Sequence, residues 1–258
     1  MAETFSFDPD KNYDEATLEQ QRKIEKEIAE NQALVSSIVD FDTISAEYSK
    51  EDETYLGKIQ DLKNKYKCVR RTRGDGNCFY RAFGFAYLEQ LLTNKEDYPR
   101  FKEVATKSKD ELVSLGFPQF TIEDFYETFM EVVEKVGTPC TSEELHETFI
   151  DQGTSDYLVV YLRLLVSGYL QKETDFFQNF IEGGRTVKEF CNQEVEPMGK
   201  ESDHLQVMAL TSALGVPVRV VYMDRGDSGQ CNHHDFPEDS KPSVYLLYRP
   251  GHYDILYS

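Results

Sequence analysis

Tryptophan is absent from the sequence and cations are scarce: 28 Lys and Arg against 47 Asp and Glu leave a formal net charge of −19. A surface of that sign repels phosphate backbones, so it argues against nucleic acid as a partner and leaves a basic protein as the easier one to meet. Long apolar runs are also lacking. The longest, "YLVVYLRLLVSGYL" at 157–170, is interrupted by Arg163 and is too short to span a bilayer, so no membrane role is expected. The opening "MAETFSFDPDKNYDEA" has neither a basic start nor an apolar stretch, which reads as no signal peptide. Cysteines are few: the five at 68, 78, 140, 191 and 231 are odd in number and widely spaced. That excludes a disulfide framework and gives the expectation of free thiols in a reducing cytosol or nucleus.

What is present suffices for a folded body. Hydrophobic residues make up 40% of 258 positions, with 16 Tyr and 17 Phe, enough for the core of one large domain or a domain with an appendage. Residues 1–13 are polar and unpatterned and read as a tail. The stretch after them, "YDEATLEQQRKIEKEIAENQALVSS", is helical, with Asp14 as N-cap. Its apolar stripe is narrow, built on Ile24 and Ile28 with weaker support from Leu18 and Gln21, as suits a peripheral helix or one that meets a partner. Helices are expected over 44–65, 78–93, 98–115, 121–136, 142–151, 155–180, 185–195 and 203–214. Thr121 is taken as the cap of the fourth, with Asp124 at its N3 position. The period then changes: "PVRVVYMD" (217–224), "SVYLLY" (243–248) and "HYDILYS" (252–258) read as strands, the last two joined by a turn at "RPG". The class is α+β, a helical body packed on a small, mostly antiparallel C-terminal sheet.

The stretch "GDGNCFYRAF" joins turn chemistry to a buried helix. With Asn77 as N-cap, Cys78 is the first helical residue, where free amides and the positive end of the helix dipole favour a thiolate. Gly74 and Gly76 let the preceding loop turn tightly, and its amides, with that of Cys78, are candidates to hold an oxyanion. The plainer alternative is a small core residue beside Phe79, Phe83 and Phe85. A nucleophile needs a base. Of the five histidines, His146 is expected to be exposed on an acidic helix, His204 sits near a helix start, and His233 and His234 lie in a polar loop. His252 opens the last strand, and Asp254, two residues on, shares its face. That spacing lets a carboxylate fix the imidazole's tautomer, although a solvated strand end reads the same way. Cys231, His233 and His234 lack the second pair that a zinc site needs, and "EGGR" (182–185) lacks the context of a phosphate loop.

These residues carry a resemblance. "RTRGDGNCFYRAFGFAYLEQLL" resembles the cysteine motif of the ovarian-tumour (OTU) deubiquitinases, and "VYLLYRPGHYDILY" their histidine motif. "TSDYLVVYLRLL", "FIEGGRTVKEFCNQEVEPMGKESDH" and "YMDRG" are similar to the otubain branch, so that the likeness runs over about residues 14–258. It implies a papain-like cysteine protease fold acting as an isopeptidase at the C-terminus of ubiquitin. Cys78 would be nucleophile, His252 base and then acid, Asp254 its orienting group, and Asp75 would shape the loop of Gly74, Gly76 and Asn77. The resemblance also implies a division into residues 1–43, a tail and ubiquitin-binding helix carrying Leu18, Ile24 and Ile28, and 44–258, the catalytic domain. It places Thr121 toward ubiquitin-conjugating enzymes, and Phe180 and His204 on the surface for the distal ubiquitin. Implied partners are ubiquitin, polyubiquitin with lysine-48 linkage preferred, and charged conjugating enzymes, which long otubains sequester without the thiol. No cofactor or metal is implied, and a monomer is expected.

Overall fold

The computed structural model describes residues 13–226 and 229–258, with the side chains of 13–16 and 25 outside that description. The expected tail falls outside it up to residue 12, as does the side chain of Asp14. In chain order the elements are α1 (Tyr13–Asn31), β1 (Val35–Val39), α2 (Phe41–Ser45), α3 (Glu53–Lys65), β2 (Cys68–Thr72), α4 (Cys78–Thr93), α5 (Tyr98–Ser114), α6 (Gln119–Gly137), α7 (Ser142–Ile150) and α8 (Gln152–Lys172). They continue with the short α9 (Thr174–Phe177), α10 (Val187–Phe190), α11 (His204–Leu214), β3 (Val218–Tyr222), β4 (Asn232–Phe236), β5 (Val244–Arg249) and β6 (His252–Tyr257).

Among the described residues, one sheet of six strands runs in the order β1-β2-β6-β5-β3-β4. It is antiparallel throughout except where β3 lies parallel to β5. The α+β class and the mostly antiparallel pairing hold. The confinement of the sheet to the C-terminus does not, because β1 and β2 come from the first third of the chain. Their sequences, "VSSIV" and "CVRRT", carry too much polarity to read as strands, and "NHHDF" of β4 reads as a loop. β1 also lies on the N-terminal side of the division expected at residue 43.

The sheet has apolar matter on both faces. On one side Val220, Leu246 and Ile255 meet the helical body, whose spine is α4 with Phe79, Phe83 and Phe85 fully buried. On the other, Val69, Val221, Leu247 and Leu256 meet Phe41 and Ile44 of α2 and Ile59 and Leu62 of α3. Burial on both faces is why "YLLY" and "DILY" are nearly continuous apolar runs.

Several helix ends differ from expectation. The segment 44–65 is two helices, split by a turn before the Asp52 cap. α6 starts at Gln119 after Pro118, so Thr121 lies within its first turn and is not the cap. Pro118 fixes the entry, and its carbonyl accepts the amides of Thr121 and Ile122. α8 is capped by Asp151, whose side chain accepts from the Thr154 amide, four residues before the expected start. It ends at Lys172; a short helix and a 3-10 turn at Gln178–Phe180 follow it. α11 matches its reading: Asp203 and Gln206 form a capping box and Gly215 closes it at φ 61.

Candidate active site

Cys78 is the first residue of α4, buried at the helix N-terminus. Its amide has no acceptor within the helix, because none of the first-turn amides do. The Asn77 carbonyl accepts from Arg81 of the helix, which fixes the plane of the peptide carrying that amide. Asn77 occupies the N-cap position without a side-chain capping bond. Its Oδ1 instead accepts from Arg163 at 2.8 Å and from the Gly199 amide at 2.9 Å. The expected capping role is therefore replaced by cross-linking. Asn77 ties the loop to the segment after α10.

Asp75 shapes the loop from below. Its carboxylate accepts the Asn77 amide at 3.0 Å and two bonds from Arg81 Nη1, at 3.0 and 3.1 Å. Gly76 sits at φ 74, and a Cβ there would lie 2.0 Å from the Gly199 carbonyl oxygen, so no other residue fits. Gly74 lies beside the base: an added Cβ would come 3.7 Å from His252 Nδ1.

β6 brings the other groups. The fold closes the 174 positions between Cys78 and His252 by packing α4 on the middle of the sheet, where Phe79 and Tyr253 rings meet at 5.3 Å. His252 Nε2 bonds Asp254 Oδ1 at 2.8 Å, which leaves Nδ1 for the hydrogen bond to Cys78. Asp254 is fully buried. Oδ1 also accepts the Thr72 amide at 3.0 Å, and Oδ2 accepts from Arg249 at 2.7 Å. Arg249 in turn donates to Glu47 at 2.8 Å, and Glu47 pairs with Arg71.

The electrostatics follow from these contacts. Burial pulls the His252 pKa down, but the hydrogen bonds and negative charge of Asp254 and Cys78 outweigh it and carry the value to about 9. Burial likewise opposes charge on Asp254, yet His252, Arg249 and the Thr72 amide hold its carboxyl below the usual range. His252 is therefore an imidazolium at neutral pH, a cation held beside the Cys78 sulfur. Burial raises the pKa of the other four thiols: Cys68, Cys140, Cys191 (to about 11) and Cys231 (to about 12). All five are free.

Residues 27–258 match the family model described as Peptidase C65 Otubain. The chain belongs to the otubain family. The human ubiquitin thioesterase OTUB1 is 59% identical over 245 residues, covering 95% of this chain and 90% of the relative. Human ubiquitin thioesterase OTUB2 is 43% identical, covering 81% and 88%. A solved structure of h/ceOTUB1 with ubiquitin aldehyde and UBCH5B~Ub superposes with a TM-score of 0.89 at 38% identity, over 95% of this chain and 98% of that one.

The remaining candidates in this otubain lie on other elements. Leu18 and Ile24 on α1 are 55% and 48% exposed, and Ile28 is half-buried. Thr121 is exposed on α6 next to Phe120, which is 94% exposed and was not singled out by its sequence. Phe180, in the 3-10 turn, is 54% exposed with its ring against Phe176 at 5.2 Å. His204 opens α11 and stacks on Tyr222 at 5.9 Å. None of these is hydrogen-bonded or ring-stacked to Cys78, His252 or Asp254 among the described residues. His146, expected to be exposed, is part-buried and bonds the Val35 carbonyl at 2.9 Å, because β1 covers it. Among the described residues no group of three His, Cys, Asp or Glu is placed to hold a metal, and no helix is long and apolar enough to cross a membrane.

Proposed function

We propose that this otubain is a deubiquitinating thiol isopeptidase. The observation that carries the reading is the Cys78–His252–Asp254 line: a thiol at a helix N-terminus, bonded to an imidazolium that a buried carboxylate holds in place. The Cys78 thiolate attacks the carbonyl carbon at the C-terminus of ubiquitin, forming an S–C bond and moving the π electrons onto oxygen. The Cys78 amide and the glycine loop supply the donors for that oxyanion. As the oxyanion collapses, the C–N bond breaks and His252 gives its proton to the leaving lysine amine. The now neutral His252 takes a proton from water, whose oxygen attacks the thioester. The C–S bond breaks and the thiolate–imidazolium pair returns. Asp254 holds the His252 ring in one orientation throughout and fixes its tautomer when it is neutral, and Asp75 keeps the loop.

Ubiquitin is the partner on the acyl side, with Phe180 and His204 as its candidate contacts. A second ubiquitin, on the leaving side, would meet the exposed Leu18–Ile24–Ile28 stripe of α1, and a lysine-48 preference would arise from how that unit is held. Thr121, with Phe120 beside it, is the candidate surface for conjugating enzymes. A second role is supported by those apolar side chains, which the chemistry does not use: binding ubiquitin-charged conjugating enzymes and blocking transfer. Hydrolysis of a ubiquitin C-terminal fluorogenic amide tests the first role. Turnover that disappears in Cys78→Ala supports it, and turnover that persists contradicts it. The same variant should still block ubiquitin transfer by a charged conjugating enzyme.

A further inference from the structure

Arg163 lies in the middle of α8, wholly buried, among Leu162, Leu165 and Val166. An aliphatic residue would fill such a position, yet the chain buries a cation there. No carboxylate pairs with it among the described residues; its acceptors are neutral oxygens. Nη1 donates to the Val195 carbonyl at 2.8 Å. Nη2 is shared between the Gly76 carbonyl at 3.0 Å, Asn77 Oδ1 at 2.8 Å and the Lys200 carbonyl at 2.7 Å. The guanidinium also lies over the Tyr80 ring, 4.4 Å from its centroid. Burial pulls the Arg163 pKa down, so the fold works against this charge while keeping it.

The acceptors indicate what the charge does. They belong to two segments, the loop Gly76–Asn77 and the stretch Val195–Lys200, and these are the two that touch where Gly76 faces Gly199. Gly76 has no side chain and a positive φ, so its peptide is the one in the loop freest to rotate. A trans peptide points its carbonyl and the next amide in opposite directions. Arg163 holds the Gly76 carbonyl, and Asp75 holds the Asn77 amide, so the plane is pinned at both ends. Rotation of that plane would break both bonds, set the Gly76 carbonyl against the Asp75 carboxylate and shift the turn that carries the Cys78 amide.

We propose that Arg163 is a positioning residue for the oxyanion site, fixing the Gly76–Asn77 peptide and the turn that leads into Cys78. The inference rests on the thiol-isopeptidase reading. Arg163 touches no substrate; it acts through the loop. Its contribution belongs to the step that builds charge on the carbonyl oxygen and not to ubiquitin binding or to the nucleophilicity of sulfur.

Three readouts on Arg163→Met and Arg163→Lys separate those effects: kcat and KM on ubiquitin fluorogenic amide, affinity for ubiquitin aldehyde, and the rate of Cys78 alkylation by iodoacetamide. The aldehyde adds to sulfur and makes an oxyanion, whereas displacement of iodide makes none. Removing one oxyanion donor costs about 10²–10³ in kcat elsewhere, and loss of the clamp should approach the lower figure in Arg163→Met. Affinity for the aldehyde should weaken in parallel, with KM and the alkylation rate within about twofold of the parent. Arg163→Lys, which keeps a cation near one carbonyl, should recover part of kcat; it also serves if Arg163→Met does not fold. Unchanged kcat in a folded variant overturns the proposal. So does a fall in alkylation as large as the fall in kcat, which would place the defect at the thiol. An unsubstituted protein that fails to hydrolyse the amide would instead overturn the isopeptidase reading itself.

Discussion

The acid beside the base decides the behaviour of the site at the scale of single residues. Asp254 satisfies three donors at once, from His252, Thr72 and Arg249, and has no exposure to water. Asp254→Asn keeps the shape but removes the charge and presents an amide N–H where an acceptor is needed. Turnover of ubiquitin amide should fall by about two or more powers of ten with KM little changed; steady-state kinetics check this, and near-normal turnover would assign the orienting role elsewhere. The raised His252 pKa gives a second expectation. The reactive pair needs the imidazolium, so the alkaline limb of kcat/KM should lie near about 9, and a limb near about 6.5, the unperturbed value, would contradict the pairing. Stability carries the same sign: the imidazolium's contribution is fully present below the unfolded value of about 6.5 and is lost as pH rises through about 9. Cys78, His252 and Asp254 were legible because each announces itself locally, by a turn-to-helix junction or an i, i+2 strand pair. Arg163 and Arg249 were not, because their partners lie up to 87 and 202 positions away, at Gly76 and Glu47, beyond any local pattern. Thr121 misled because a good capping residue happened to follow Pro118, which had already started the helix.

Elements were readable in proportion to how one-sided or complete their burial is. α7 and α11 carry full capping boxes and were placed to within a residue or so. β5 and β6, buried on both faces, could hardly be missed. β1, β2 and β4 hold polar residues that tertiary contacts satisfy: Arg70 lies over the Phe85 ring, and Asp235 pairs with Arg219. α1 is the element with a prediction of its own. Its C-terminal carbonyls at Ala29 and Gln32 accept the Arg73 guanidinium, and Gln32 Oε1 accepts the Gly74 amide, so the helix end is anchored beside the active site. Leu18 and Ile24 remain on the open part. Full burial of such a side chain is worth about 1.5–3 kcal/mol. Leu18→Asp with Ile24→Asp should therefore slow lysine-48-linked di-ubiquitin cleavage about tenfold or more. Hydrolysis of a ubiquitin with a small leaving group should change less than about twofold, and the melting temperature should shift by about 2 °C or less, because exposed positions contribute little to folding. A large loss of melting temperature would show that the stripe packs on its own domain.

At the scale of the molecule, the sheet, with apolar matter on both faces, holds the two halves of the site. The cysteine comes from a helix on one face and the histidine from a central strand, brought together where α4 packs on the sheet. The class was legible from periodicity, while the strand order was not, since it depends on β1 and β2 reaching across to β6. The central claim is that this fold arms one thiol of five against ubiquitin's C-terminus. Reaction with a ubiquitin bearing a C-terminal electrophile, followed by mass mapping of the adduct, tests it most directly. The account predicts a single adduct on Cys78 that is absent from Cys78→Ala; an adduct on any other cysteine, or one that survives the substitution, contradicts it.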